Sequence, residues 1–498
     1  MKNKVLNIIL LMGIILFSAC ELNEEPYGFY SEDNFYKSAA DAEAAITYAY
    51  DALTFLEYSR GVYILGDLST DECFPKTDQA GDQQDINNWK VANFTTNRGL
   101  MNYFKYAYIA INRSNAVLEN ITQANFDENQ KNIFMGEAYF LRAWNYFNLV
   151  KNFGLVPVHK SLVKTLDQTA APMAENLDEI YNLIFSDCKK AIELLEINQR
   201  TGRADKVAAQ SLAAKAYLHI ASSKSANAPL YSDMGKDIEI MYDSAAYFAD
   251  QVINNQSLYG FQDDLLDIFD VENPKGSEHI FLMSMDRSGT IEGDYSKISK
   301  LFIPYIAGGD IFLDNGDGTY TKSHDGWSVY QTKESFYEKF EGADKRGNLL
   351  LVDKVYDAQG NVISQYPGGL PYRFSRKYVD PLFEADKTST KPFLIRFSDI
   401  ALIYAEAVGP TAEAYEIVNF IRSRAGVGNL PPDLGLNSFR ERVWEERGLE
   451  LMYEGNRLYD LRRFNRVSEL VEEASGLSDQ ETLFYPIPKV EIDLNQGL

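Results

Sequence analysis

The chain has 498 residues, with 48 Lys and Arg against 72 Asp and Glu, a formal charge of −24. A surface of that sign repels phosphate backbones, and no Lys/Arg cluster supplies the basic patch that nucleic acid needs, so nucleic acid is excluded as a partner. With 45% apolar residues there is ample material for a core, which excludes disorder as the dominant state.

Lys2 and Lys4 precede a 13-residue apolar run over 5–17, broken only by Asn7, and Ser18, Ala19 and Cys20 follow. Basic residues, a short apolar run and small residues, in that order, make a secretory signal over 1–19; the run falls short of the roughly 20 apolar residues that span a bilayer. Leu16-Phe17-Ser18-Ala19-Cys20 resembles a bacterial lipobox, with Phe17 where leucine is usual, which implies cleavage before Cys20 and acylation of it. Residues 20–36 then form a lipidated tether. Its Glu21, Glu24 and Glu25 are similar to the surface-export signal of Bacteroidota lipoproteins, so the expected location is the outer membrane, facing outward and held by the lipid anchor on Cys20.

Ser38 and Asp41 read as a capping box for a helix through Leu53, with Ala42, Ala45 and Ala49 along one stripe. Helical periodicity continues over 99–119, 130–152, 177–195, 205–221 and 238–253. Ala138, Leu141, Ala143 and Tyr146 recur as Ala209, Leu212, Ala214 and Tyr217, 71 residues later, near twice the 34-residue tetratricopeptide period. Over 261–396 the texture changes to short β-like runs with turns, such as Ile311-Phe312-Leu313 before Asn315-Gly316-Asp317-Gly318, and 352–356 before Gln359-Gly360-Asn361. Helices return from Ser398, over 413–424, over 438–453 with Ser438 and Glu441 as a second capping box, and over 456–463. The organisation expected is a helical region over 37–260, a loop and hairpin insertion over 261–396, and a helical region over 397–498 packed with the first as one body.

Catalytic signatures are missing. His159, His219, His279 and His324 sit in unrelated contexts, no nucleophile elbow or phosphate loop occurs, and the Asp314 to Gly318 turn lacks the register and distal Glu of a calcium loop. With 72 acids a carboxylate pair will exist by chance, so the sequence nominates none for glycoside hydrolysis. Neither a metal nor a cofactor is expected. Cys73 and Cys188 read as a buried thiol pair or a single bridge rather than nucleophiles. Arg447, Glu450, Glu454, Arg457 and Asp460, spaced 3, 4, 3 and 3 apart, read as an ion network joining two packed helices.

Several segments carry a family likeness. Glu137-Ala138-Tyr139-Phe140-Leu141-Arg142-Ala143, running on to Phe153-Gly154-Leu155-Val156-Pro157, is one; Gly202-Arg203-Ala204-Asp205 is another. Tyr404-Ala405-Glu406-Ala407, Asn419-Phe420-Ile421-Arg422-Ser423-Arg424-Ala425-Gly426, Glu446-Arg447-Gly448-Leu449-Glu450-Leu451 and Glu454-Gly455-Asn456-Arg457 follow. The ending Pro486-Ile487-Pro488-Lys489-Val490-Glu491-Ile492-Asp493 is a further one, with Gln496 and Gly497 where that family has proline and a variable residue. Together they resemble the SusD/RagB family of Bacteroidota surface lipoproteins. The resemblance implies a mostly α fold of four tetratricopeptide-like helix pairs bearing a loop and hairpin insertion. It also implies a non-enzymatic role: capture of oligosaccharides or peptides and delivery to a SusC-like TonB-dependent transporter in the outer membrane.

Sugar capture needs flat aromatic rings against pyranose faces, with polar groups around them. Trp144 and Trp444 lie within helical signatures and read as packing residues. Trp89, in the polar segment 82–97, and Trp327, in the insertion, are the candidate stacking rings, with Tyr305 as a further ring. Asp71, in Ser69-Thr70-Asp71-Glu72, resembles an acidic family position and completes the candidate set. The main expectation is a glycan-binding lipoprotein; the alternatives are peptide capture on the same scaffold, or a helical-repeat interaction scaffold without a small ligand.

Overall fold

The computed structural model describes residues 35–78, 80–254, 258–306, 309–495 and 497, so the signal segment, Cys20 and the acidic tether lie outside the described residues. Among the described residues nine long helices form the body: α1 Ala39–Thr54, α2 Arg98–Asn120, α3 Glu128–Phe153, α4 Leu177–Leu194, α5 Lys206–Ser225, α6 Ile238–Ile253, α7 Phe397–Val408, α8 Ala412–Arg424 and α9 Leu436–Glu450. Their starts follow side-chain chemistry. Ser38 and Asp41 make the expected reciprocal capping box, and Asn97, Asp127, Asn176, Asp205, Asp237 and Thr411 each accept a first-turn amide that the helix leaves unpaired. The second capping box does not form: α9 begins at Leu436 after Gly435, before Ser438 is reached, and Glu441 pairs with Arg466 instead.

Successive long helices pack on one another from α1 to α6, and α7 returns against α6, so the two helical regions share one apolar core. Helix α3 runs through its centre and is buried almost all round from Phe134 to Phe153. The repeated Tyr217 does not occupy the same environment as Tyr146. It lies between Phe185 and Phe248, with ring centroids at 3.9 Å and 5.6 Å and the planes nearly parallel, joining α4, α5 and α6. Among the described residues no helix is long and apolar enough to cross a membrane.

Among the described residues the strands cluster in the expected insertion, with one exception. β1 (Cys73–Pro75) precedes α2 and pairs antiparallel with β5 (Tyr330–Thr332), which ties the first helical region to the insertion. β2 (His279–Leu282) pairs with β10 (Phe393–Arg396) where the chain leaves and re-enters the body. β3 (Ile311–Asp314) and β4 (Tyr320–Ser323) form the hairpin signalled by Asn315 to Gly318, and β7 (Lys354–Tyr356) and β8 (Val362–Gln365) extend it into a sheet of order β4-β3-β7-β8. The single run expected over 352–356 is two strands. β6 (Leu351–Val352) pairs with β9 (Phe374–Ser375), and the chain changes sheet at Asp353 before β7. Cys73 and Cys188 are free thiols buried in different apolar clusters, so of the two readings the buried thiols hold and the single bridge does not.

The charged constellation at the C-terminal end is buried and paired, as the spacing suggested, but its partners are mostly distant. Glu450 holds Arg346, Arg396 and Arg424; Glu454 takes Lys377 and Arg396; Arg457 holds Asp71; and Asp460 lies between Arg447 and Arg463. It therefore joins the insertion and the first helical region to the C-terminal helices, well beyond a single helix pair.

Two nearby carboxylates are buried differently. Asp67 accepts the Gly455 amide at 3.0 Å and Glu72 the Tyr453 amide at 3.3 Å, and among the described residues neither has an ion-pair partner. Burial pushes both well above the usual carboxylate range; the Gly455 amide opposes this at Asp67, and the Asp67 charge adds to it at Glu72. The folded state thus keeps protons that the unfolded chain releases. Their stabilising contribution is full below the unfolded carboxylate range and is lost as pH rises through the folded values. The thermal midpoint is expected to fall as pH rises above the usual carboxylate range, and Asp67→Asn to flatten that fall; an unchanged slope in the variant would count against it.

The candidate ligand cleft

The short helix Gly61–Gly66, the β1–β5 pair and the turn after helix Ile298–Phe302 meet at one opening. It is a cleft of about 390 Å³, within the range usual for small-ligand sites, lined by Arg60, Lys76, Gln83, Tyr305, Trp327 and Tyr330 among others. Tyr305 is 68% exposed, and Trp327 is half-buried against the apolar cluster behind it. Two of the four sequence candidates are thus brought together across the 22 residues that separate them.

Backbone pairing fixes the position of Trp327. Its amide donates to the Lys300 carbonyl at 2.7 Å, the Gly326 amide to Pro304 and the Ser328 amide to Ile303, while the Tyr305 amide donates to the Ser328 hydroxyl at 2.9 Å. The two aromatic segments are therefore laced together. Gly326 makes this approach possible, since a Cβ there would lie 1.9 Å from the Ile303 carbonyl oxygen. Gly326→Ala is expected to push the two segments apart and weaken ligand retention while leaving the helical body folded, measured as binding against far-UV circular dichroism.

The other two candidates are placed elsewhere. The segment around Trp89 is no loop: helix Gly81–Asn87 and a 3₁₀ turn at Val91–Thr96 fold the indole inward. Trp89 is 3% exposed, stacks on Tyr485, packs edge-on to Phe94 and donates from Nε1 to the Ser69 carbonyl at 3.1 Å. No ring face remains for a sugar, so Trp89 is corrected to a core residue. Asp71 is buried, with Arg457 bidentate on it at 2.8 Å and Lys339 on the same carboxylate. Burial raises its pKa, but the charges of Arg457 and Lys339 outweigh that and hold it well below the usual carboxylate range. Its oxygens serve the fold, which corrects Asp71 to an ion-pair residue. Trp144 and Trp444 are buried as expected and donate to Tyr58 and to the Asp460 carbonyl.

Arg60, Lys76 and Gln83 were not signalled in the sequence. They lie more than two hundred residues before Tyr305 and Trp327, and only the β1–β5 pairing brings Lys76 alongside, where its amide meets the Val329 carbonyl at 2.9 Å. A larger pocket of about 720 Å³ between Lys339, Arg422, Arg442 and Trp444 has no comparable aromatic face, because Trp444 is buried beneath Arg457 and Arg466. Among the described residues no His, Cys, Asp or Glu cluster is arranged to hold a metal ion.

Two family models match the chain, one described as the SusD family over residues 317–481 and one as starch-binding associating with outer membrane over 31–218. The chain belongs to the SusD/RagB family. SusD-like protein P2 of Formosa agariphila is 25% identical over 100% of this chain and 98% of its own length, and a SusD-like protein of Bacteroides ovatus is 23% identical over 93% and 82%. A SusD homolog from Bacteroides thetaiotaomicron superposes with a TM-score of 0.77 at 21% identity, covering 94% of this chain and 97% of that one. A laminarin-binding SusD-like protein gives 0.75 at 23% identity, over 93% and 98%. Surface glycan-binding protein A of Bacteroides thetaiotaomicron, in complex with laminarihexaose, gives 0.69 at 21%, over 92% and 98%. The mostly helical SusD-like fold expected from the sequence is therefore the fold of this chain.

Proposed function

We propose that this SusD/RagB protein captures an oligo- or polysaccharide in the Tyr305/Trp327 cleft and passes it, chemically unchanged, to a TonB-dependent outer-membrane transporter. The observation that carries this reading is the convergence of an exposed phenol and a half-buried indole on one open cleft. Two flat rings cover the apolar faces of pyranoses, while the polar groups around them meet the hydroxyls. Structural neighbours described as binding laminarin or laminarihexaose support a glycan as the ligand class. The membrane connection rests on Cys20 as the acylated residue, facing outward; metabolic labelling with a palmitate analogue is expected to mark the protein and to fail in Cys20→Ala.

The deciding experiment is a retention screen of the purified protein against plant, host and microbial glycans, by affinity electrophoresis and calorimetry, beside a peptide array. Binding of one glycan class at about micromolar to millimolar Kd is the expected result. Silent glycans with a positive peptide array would replace the reading by peptide capture.

A further inference from the structure

The cleft has the opposite sign to the net charge of the molecule. The chain carries −24, yet among the described residues the cleft lining contains the cations Arg60 and Lys76 and no carboxylate. The Arg60 guanidinium lies 6.0 Å from the Trp327 ring centroid and the Lys297 ammonium 5.9 Å from it, so the stacking ring is flanked by two cations. One carboxylate, Glu292, serves both, at 2.6 Å to Arg60 and 3.5 Å to Lys297. Lys76 pairs at 3.2 Å with Asp78, but both partners are more than 40% exposed, and such pairs are weak and readily exchanged. Three cations around the rings are thus matched by two carboxylates that stand outside the lining.

We propose that the captured ligand is an acidic glycan, a saccharide bearing carboxylate or sulfate ester groups, whose ring faces lie on Trp327 and Tyr305 while its anionic groups meet Arg60 and Lys76. This rests on the capture reading above and names its substrate class. A neutral sugar covering these cations would desolvate them while adding no charge to the two carboxylates they share, whereas a carboxylate or sulfate forms charge-assisted hydrogen bonds, and the planar Arg fork suits both groups. The acidic surface gives the assignment a sharp test. The net charge disfavours unspecific adsorption of a polyanion, and loss of retention in Arg60→Gln and Lys76→Gln distinguishes this cleft from the larger opening at Lys339, Arg422 and Arg442.

The probes are polygalacturonate, a sulfated galactan, the carboxyl-reduced and desulfated forms of the same polymers, and laminarin as a neutral glucan. Expected is binding of one acidic polymer that weakens about tenfold when its charged groups are removed and weakens further in about 0.5 M NaCl. Which of the two acidic polymers binds separates carboxylate from sulfate recognition. Arg60→Gln and Lys76→Gln are each expected to weaken it several-fold; among the described residues the Lys76 ammonium pairs only with the exposed Asp78, and the backbone bonds of Lys76 are kept on substitution, so its variant keeps the fold. Lys489→Gln, at an exposed pair with Asp493, serves as the unaffected control. Preferential retention of laminarin, unchanged by Arg60→Gln, would overturn the acidic assignment and leave glycan capture standing. Silence of every acidic probe would overturn the assignment too, and a positive peptide array beside it would remove both readings.

Discussion

Glu450→Ala is expected to cost about 3–5 kcal/mol of stability, enough to shift the denaturant midpoint strongly or to leave the protein insoluble. Glu450 is 2% exposed and accepts from Arg396 at 3.0 Å, Arg424 at 2.8 Å and Arg346 at 3.3 Å. Burial pushes its carboxyl up, but Arg424, Arg396 and Arg346 outweigh burial and hold it well below the usual range, so it carries its charge at neutral pH. Removing it leaves Arg346, Arg396 and Arg424 to share Glu278, Glu446, Glu454 and Asp344 with Arg422 and Lys377, so that five cations face four buried carboxylates and one charge is left uncompensated. The penalty comes from that orphaned charge and does not measure how much the intact network stabilises the fold, because desolvating all these groups offsets much of their attraction. Guanidinium chloride unfolding gives the number, with Glu441→Ala as the comparison. Glu441 pairs with Arg466 at the surface and its loss is expected to cost less than about 1 kcal/mol. A Glu450→Ala midpoint within that margin would mean that water or rearranged acids already satisfy the three arginines.

This network also marks where the sequence was legible. Spacing and residue type identified Arg447, Glu450, Glu454, Arg457 and Asp460 as paired, since buried charges must be satisfied. It could not identify Arg346, Arg396 or Asp71 as partners, because pairing across hundreds of residues depends on the fold. The long helices were readable nearly to their ends, as α6 at Ile238–Ile253 shows, because caps and 3.6-residue periodicity are local. The β1–β5 pair was not readable. Cys73–Pro75 is a three-residue strand containing proline, a composition that signals nothing until Tyr330–Thr332 lies beside it. The cleft inherits this division: Tyr305 and Trp327 stood out as rings in a loop-rich insertion, whereas Lys76 reaches them through that hidden pairing and Arg60 from the start of the short helix Gly61–Gly66.

The two tryptophans that looked alike in the sequence are expected to separate cleanly by experiment. Trp327→Ala removes a half-buried ring at an open cleft and should reduce glycan affinity about tenfold to a hundredfold, with little change in thermal midpoint. Trp89→Ala empties a site closed by Tyr485 and Phe94 and leaves the Ser69 carbonyl without its donor, a core truncation of about 3–5 kcal/mol. Its folded fraction should bind ligand with unchanged affinity, since Trp89 is not among the residues that line the cleft. Measuring both variants by unfolding and by calorimetry crosses the two readouts. Loss of affinity without loss of stability in Trp89→Ala would mean that the segment holding it opens to bind, and would move the site from the β1–β5 junction toward the 3₁₀ turn at Val91–Thr96. Unchanged affinity in Trp327→Ala and in Tyr305→Ala would remove the cleft as the binding site, because no other ring in its lining is as exposed as Tyr305 or as open as Trp327.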